Sequence, residues 1–219
     1  MAGIILFPAA AFVLFSLVYF RGFTRTTGMQ LRLTNILLYF FASVAITILA
    51  YFILSGIKDL AWENLHHIIR TFISPLIEES LKYFTLILLL KLAYPAGEKL
   101  QLFRQTVLAG IIVGMGFGLM ETYLYIIRQM ELLSSIILLG SLPLHMVSAG
   151  FLGFAAAVNA SRNKRIFYVL IVVTGHIIYN QLLVLPVPLS YISLLILLLG
   201  SIALLNLLTA PRDPSSDDV

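Results

Sequence analysis

Two adjacent carboxylates, Glu78 and Glu79, are followed by Lys82 inside an otherwise apolar stretch, "ISPLIEESLKYFTLILLL". Farther along come Glu121, His145, His176 and Asn180, each also set among apolar residues. These residue types activate water, ligate metals and donate to oxyanions. On a helix, Lys82 can reach Glu78 at i,i+4 or Glu79 at i,i+3, and the Glu-before-Lys order is the favourable one. The i,i+4 geometry assigns Lys82 to Glu78 and leaves Glu79 as the favoured general base. Two neighbouring carboxylates in a low-dielectric medium do not both ionise cheaply, and a poised carboxylate is what a base for water needs. His176 and Asn180 are i,i+4 and share a helix face, where imidazole and amide suit either a metal or an oxyanion.

The elements that carry these residues are membrane spans. The chain has 219 residues, of which 60% are apolar and only 11% charged, and its mean hydropathy is +1.01. Soluble domains are about 25% charged, so too little polar surface exists here to cover a soluble globule. The expected fold is an all-α polytopic membrane helical bundle. A span takes about 20 apolar residues. About seven transmembrane helices follow, near 2–20, 33–56, 72–91, 105–127, 132–159, 166–185 and 188–209. The N-terminal run has no basic residue before it and reads as a retained helix rather than a signal peptide. Residues 1–209 read as one transmembrane domain, and 210–219, "APRDPSSDDV", as a polar tail expected to be disordered.

The net charge of +4 does not indicate nucleic acid, because the basic residues lie between spans. The first, third and fifth loops are the richest, with Arg21, Arg25 and Arg32, then Lys91, Lys99 and Arg104, then Arg162, Lys164 and Arg165. The positive-inside rule then places those loops in the cytoplasm of a plasma-membrane protein, the N-terminus outside and the C-terminus inside. Cysteine is absent, which excludes disulfides and thiolate ligands.

A charge at mid-bilayer costs about 2.5–3.5 kcal/mol on insertion scales. With the spans antiparallel and a rise of 1.5 Å per residue, Glu78, Glu79, Glu121, His145, His176 and Asn180 all fall about 9–15 Å below the outer surface. Taken singly, the Glu–Lys cluster is equally a structural ion pair, and a lone histidine is more often a satisfied core residue. One shared layer across four helices points to a site. Gly110, Gly114 and Gly118 recur at four-residue spacing, the pattern of close helix packing. Pro143, two residues before His145, is expected to open its helix. His66 and His67, in the amphipathic "WENLHHIIRTF", point about 100° apart on a helix and read as interfacial and structural.

In this order the motifs resemble the PrsW family of intramembrane proteases over most of the chain. The family's EExxK motif matches Glu78, Glu79 and Lys82. Its FxxxE motif matches Phe117 and Glu121, its His followed eight residues later by Gly matches His145 and Gly153, and its HxxxD-type motif matches His176. Thr122 stands where Asn is common, and Asn180 where Asp is common. The CAAX prenyl endopeptidases resemble the pattern too, but usually carry His where this chain has Glu121.

The resemblance implies peptide-bond hydrolysis within or near the lipid bilayer, on membrane-anchored protein substrates such as anti-sigma factors. In a metal-assisted version, Glu121, His145 and His176 hold a zinc, three protein ligands plus water being the usual catalytic arrangement. In a metal-free version, His145, His176 and Asn180 donate to the oxyanion. The rival classes are an ion or proton transporter and a non-catalytic scaffold. A relay should extend toward both faces, whereas the inner half of spans three to six is apolar, and no inverted repeat is visible.

Overall fold

The computed structural model describes residues 33–93, 102–127, 141–157 and 162–182, together with Leu199 and Ala203. The described residues are helical apart from Ala61 and Trp62. The long helices are α1 (Leu33–Leu60), α2 (Ser74–Ala93), α3 (Leu102–Ile127), α4 (Ser141–Ala157) and α5 (Arg162–Leu182). Leu33–Leu60, Gln105–Leu124 and Arg162–Leu182 are long and apolar enough to cross a membrane. α2 is of comparable length, but Glu78, Glu79, Lys82 and Lys91 interrupt its apolar run. α4 is apolar and shorter. The first expected span, the seventh apart from Leu199 and Ala203, and the polar tail lie outside the described residues.

α3 and α4 pack antiparallel along their length, and glycine makes this possible. A Cβ on Gly110 would overlap the Ala149 carbonyl, and one on Gly114 the His145 carbonyl. Gly153 of α4 meets the Thr106 carbonyl of α3 in the same way. Backbones this close leave no room for a side chain, the small-residue packing expected from the four-residue spacing. The His145-to-Gly153 spacing acquires a reason as well. Two helical turns separate them, so both lie on the face of α4 that meets α3. On another side of α3, Gly116 lies against Ser43 and the Phe40 carbonyl of α1.

α4 also packs against α2 and α5, and α5 against α2. Residues 141–150 are all buried. The outward faces remain apolar, with Phe41 and Phe52 on α1, Phe84 on α2 and Phe167 on α5 all exposed. In water such a surface would be a liability. Against lipid it is the expected one. The expectation that Pro143 opens its helix depends on the residues before Ser141, and 128–140 lie outside the described residues.

An elbow over residues 61–73 leads from α1 into α2. His66 Nε2 donates to the Lys58 carbonyl in the last turn of α1 (3.2 Å), a structural role as expected. The turn Ile69–Ile73 is π-helical, and Ser74 N–H reaches the Ile69 carbonyl, five residues back. Pro75 accounts for the widening. Its ring crowds the carbonyl four residues before it, and it brings no N–H of its own.

Candidate active site

α2 contributes three of the buried polar groups, all placed by helical spacing. Glu79 and Lys82 are completely buried and Glu78 nearly so. Lys82 Nζ donates to Glu79 Oε1 at 2.7 Å. The expected pairing of Lys82 with Glu78 is therefore corrected to Glu79. Both spacings bring a carboxylate within reach of the ammonium, and what decides between them comes from another helix. Lys82 Nζ also donates to His145 Nδ1 of α4 at 2.7 Å, and its third side lies 4.1 Å from the centre of the Phe117 ring of α3. The ammonium is held by an anion, a lone pair and a π-face, each worth more where water is absent.

His145 has both nitrogens engaged. An ammonium can only donate, so Nδ1 accepts from Lys82 and Nε2 carries the hydrogen. That N–H donates to Glu121 Oε2 of α3 at 2.7 Å. The backbone contact at Gly114 brings the two helices close enough for this bond. Glu121 keeps 19% of its side chain exposed, the most open of the three carboxylates.

His176, from α5, donates through Nδ1 to Glu79 Oε1 at 2.7 Å. Its Nε2 is left facing Glu78 Oε2 at 3.9 Å. Glu78 Oε1 accepts from Ser74, one turn earlier on α2, while Oε2 is buried with no hydrogen bond. Glu79 Oε2 has the Ser148 hydroxyl at 3.3 Å. Glu79 is thus taken up by Lys82, His176 and Ser148, and the carboxylate with an open oxygen is Glu78. This reverses the grounds on which Glu79 was favoured as base.

One oxygen of Glu78 and one nitrogen each of His145 and His176 lie within 4.8 Å of one another. Two imidazoles and a carboxylate are a usual catalytic zinc donor set. The arrangement fits a metal on two further grounds. Glu78 Oε2 is an orphaned buried acceptor, and His176 is held from behind by a carboxylate, as metal-ligating histidines usually are. The metal set expected from the sequence had Glu121 in the place that Glu78 takes here; His145 would join either set only by giving up its hydrogen bond to Lys82 or to Glu121.

The structure brings together Glu78, Glu79, Lys82, Glu121, His145 and His176, as the shared depth implied. Asn180 is engaged elsewhere, its Nδ2 donating to the Arg70 carbonyl in the elbow (3.3 Å). Ser74 and Ser148 are the participants that the sequence reading missed. Both sit one turn from a motif residue, at i−4 from Glu78 and i+3 from His145, which is the only signal that could have found them. A family model described as PrsW family intramembrane metalloprotease matches residues 30–205. No curated protein and no solved structure gives a match.

Proposed function

This chain belongs to the PrsW family of intramembrane metalloproteases, and from that membership and the site geometry we propose how it hydrolyses a peptide bond in a membrane-anchored protein. It is an integral membrane protein. The observation that carries the mechanism is the meeting of Glu78 Oε2, buried and without a hydrogen bond, with the histidines of two other helices.

Glu78, His145 and His176 would hold a divalent metal, with zinc the best match to the donor set. When bound, such a metal supplies a Lewis acid that polarises the scissile carbonyl and makes water a nucleophile at neutral pH. The chain's own residues do the rest. Glu121 is the most open carboxylate and is the group we assign as general base. It takes a proton from the attacking water and returns it to the leaving amine. Glu79 holds His176 through its Nδ1 hydrogen, Lys82 offsets the Glu79 charge, and His145 would exchange one of its two hydrogen bonds, to Lys82 or to Glu121, for the metal. A substrate helix has to unwind locally, since its amides are otherwise closed off by their own hydrogen bonds.

Transport is the weaker reading. Every buried charged or imidazole side chain among the described residues belongs to this one cluster, and a relay would continue toward both faces. The substrate we assign is a membrane-anchored regulator of the anti-sigma type. Seven spans in a plasma membrane, with the N-terminus outside and the C-terminus cytoplasmic, remain the proposed arrangement.

The test is elemental mass spectrometry of the gently purified protein beside Glu78→Gln, His145→Ala and His176→Ala, with cleavage of a membrane-anchored reporter measured in parallel. About one zinc per chain, lost in all three folded variants together with cleavage, supports the reading. Cleavage by folded protein that holds no metal would overturn the metal assignment and favour a water activated by carboxylate alone.

A further inference from the structure

Asn180 shares a helix face with His176, a position that suggests an oxyanion donor. The structure gives its amide a different occupation, and the reason lies in the elbow. In the π-helical turn Ile69–Ile73, carbonyls pair with N–H groups five residues ahead, as Ile69 does with Ser74. The partner due to Arg70 by that rule is residue 75, which is proline. Ser74, the α-helical alternative, is already committed to Ile69. The Arg70 carbonyl is therefore left without the backbone donor that the turn would give it, and at this exposed position a side-chain donor or water must serve it. Asn180 Nδ2 donates to it from α5 at 3.3 Å.

We propose that Asn180 is a positioning residue, a clasp on the backbone acceptor that Pro75 orphans, and not a donor to the reacting carbonyl. It works together with the neighbouring contact on the same face. His176 binds Glu79 and, one turn later, Asn180 binds Arg70, so α5 grips both the beginning of α2 and the elbow that leads into it. α5 packs against this π-helical turn as well as against α2. Glu78 lies only a few residues beyond the turn, so its carboxylate is aimed by a segment that the clasp holds in place. The side-chain chemistry also accounts for the asparagine. An ionised aspartate at 180 would present only acceptors to the Arg70 carbonyl, whereas asparagine brings the N–H groups required.

The role deepens the protease reading and rests on it where catalysis is concerned, but its primary readout does not require activity. Amide hydrogen exchange over residues 69–78 is measured in Asn180→Ala and Asn180→Asp, each in the parent chain and with Pro75→Ala. Residue 75 regains an N–H in the latter background, and the turn can close on itself. Both variants are expected to speed exchange about fivefold in the parent background, the scale of one neutral hydrogen bond. With Pro75→Ala the increase should largely disappear. With a cleavable reporter, Asn180→Ala should raise KM more than it lowers kcat.

Exchange that is unchanged in the parent background, or accelerated equally in both, would overturn the clasp. A collapse of kcat with the elbow unmoved would also overturn it and return Asn180 to the oxyanion. Failure of the protease reading itself would leave the exchange pattern intact, so the two are separable.

Discussion

Lys82 of α2 donates to Nδ1 of His145 of α4 across 2.7 Å, joining positions 63 residues apart in the chain. The same ammonium binds Glu79 at 2.7 Å. Lys82 and Glu79 are both completely shielded from solvent.

Lys82→Met should therefore be strongly destabilising, because it leaves Glu79 buried without its cation. Breaking one side of a buried pair costs about 3–5 kcal/mol. Glu79→Gln combined with Lys82→Met removes both charges and should recover most of that loss. Chemical unfolding in detergent measures the two. A double variant no more stable than the single would show that the pair is not what holds these helices together.

Glu78→Gln should behave in the opposite way. Glu78 Oε2 has no hydrogen bond to lose, so with metal removed by chelation the variant should be at least as stable as the parent. Cleavage of a membrane-anchored reporter should be abolished, since the donor set for the metal that activates water is broken. Retained cleavage would remove Glu78 from the chemistry.

Gly114→Ala tests the helix contact that brings Glu121 to His145. The added methyl would meet the His145 carbonyl, and overpacking of this kind costs about 1–3 kcal/mol. Gly56→Ala is the control, since nothing lies within 4 Å of a Cβ there. In a helix that change should be neutral or stabilising by up to about 1 kcal/mol. Thermal unfolding of both variants, with reporter cleavage, should show loss of stability and activity for Gly114→Ala alone. Equal behaviour of the two would contradict the close approach.

Metal removal should lower stability as well as activity. A ligand present at 100 times its Kd stabilises the folded state by about 2.7 kcal/mol. Chelation should lower the unfolding temperature of the parent protein but not of His176→Ala, and added zinc should restore it. The same chelator response in parent and variant would argue against His176 as a ligand.

Much of this was legible before any coordinates. Apolar run length announces spans, because lipid cannot satisfy backbone hydrogen bonds. Ionisable residues inside those runs announce a site, because lipid cannot solvate them. Helical rise alone led to the expectation of Glu78, Glu79, Glu121, His145, His176 and Asn180 in one layer, of which all but Asn180 meet in one cluster, and the glycines announced their contact. These are one-dimensional quantities, spacing and transfer cost, and a sequence contains them in full.

Which partner each group takes is not such a quantity. Lys82 reaches Glu78 and Glu79 almost equally along its own helix, and only the approach of His145 and His176 from other helices settles it on Glu79. Glu121, expected beside the histidines as a ligand, accepts the His145 N–H, while Glu78, expected on Lys82, has its open oxygen facing His176. Asn180 is turned to the Arg70 carbonyl by a proline on a different segment. A hydrogen bond is decided within a few tenths of an ångström, and rotations and translations of packed helices that hardly alter the burial of apolar surface are large enough to redirect it. Residue types and spacing were therefore set along the chain, and the pairing that gives each residue its surroundings was set by how the helices pack.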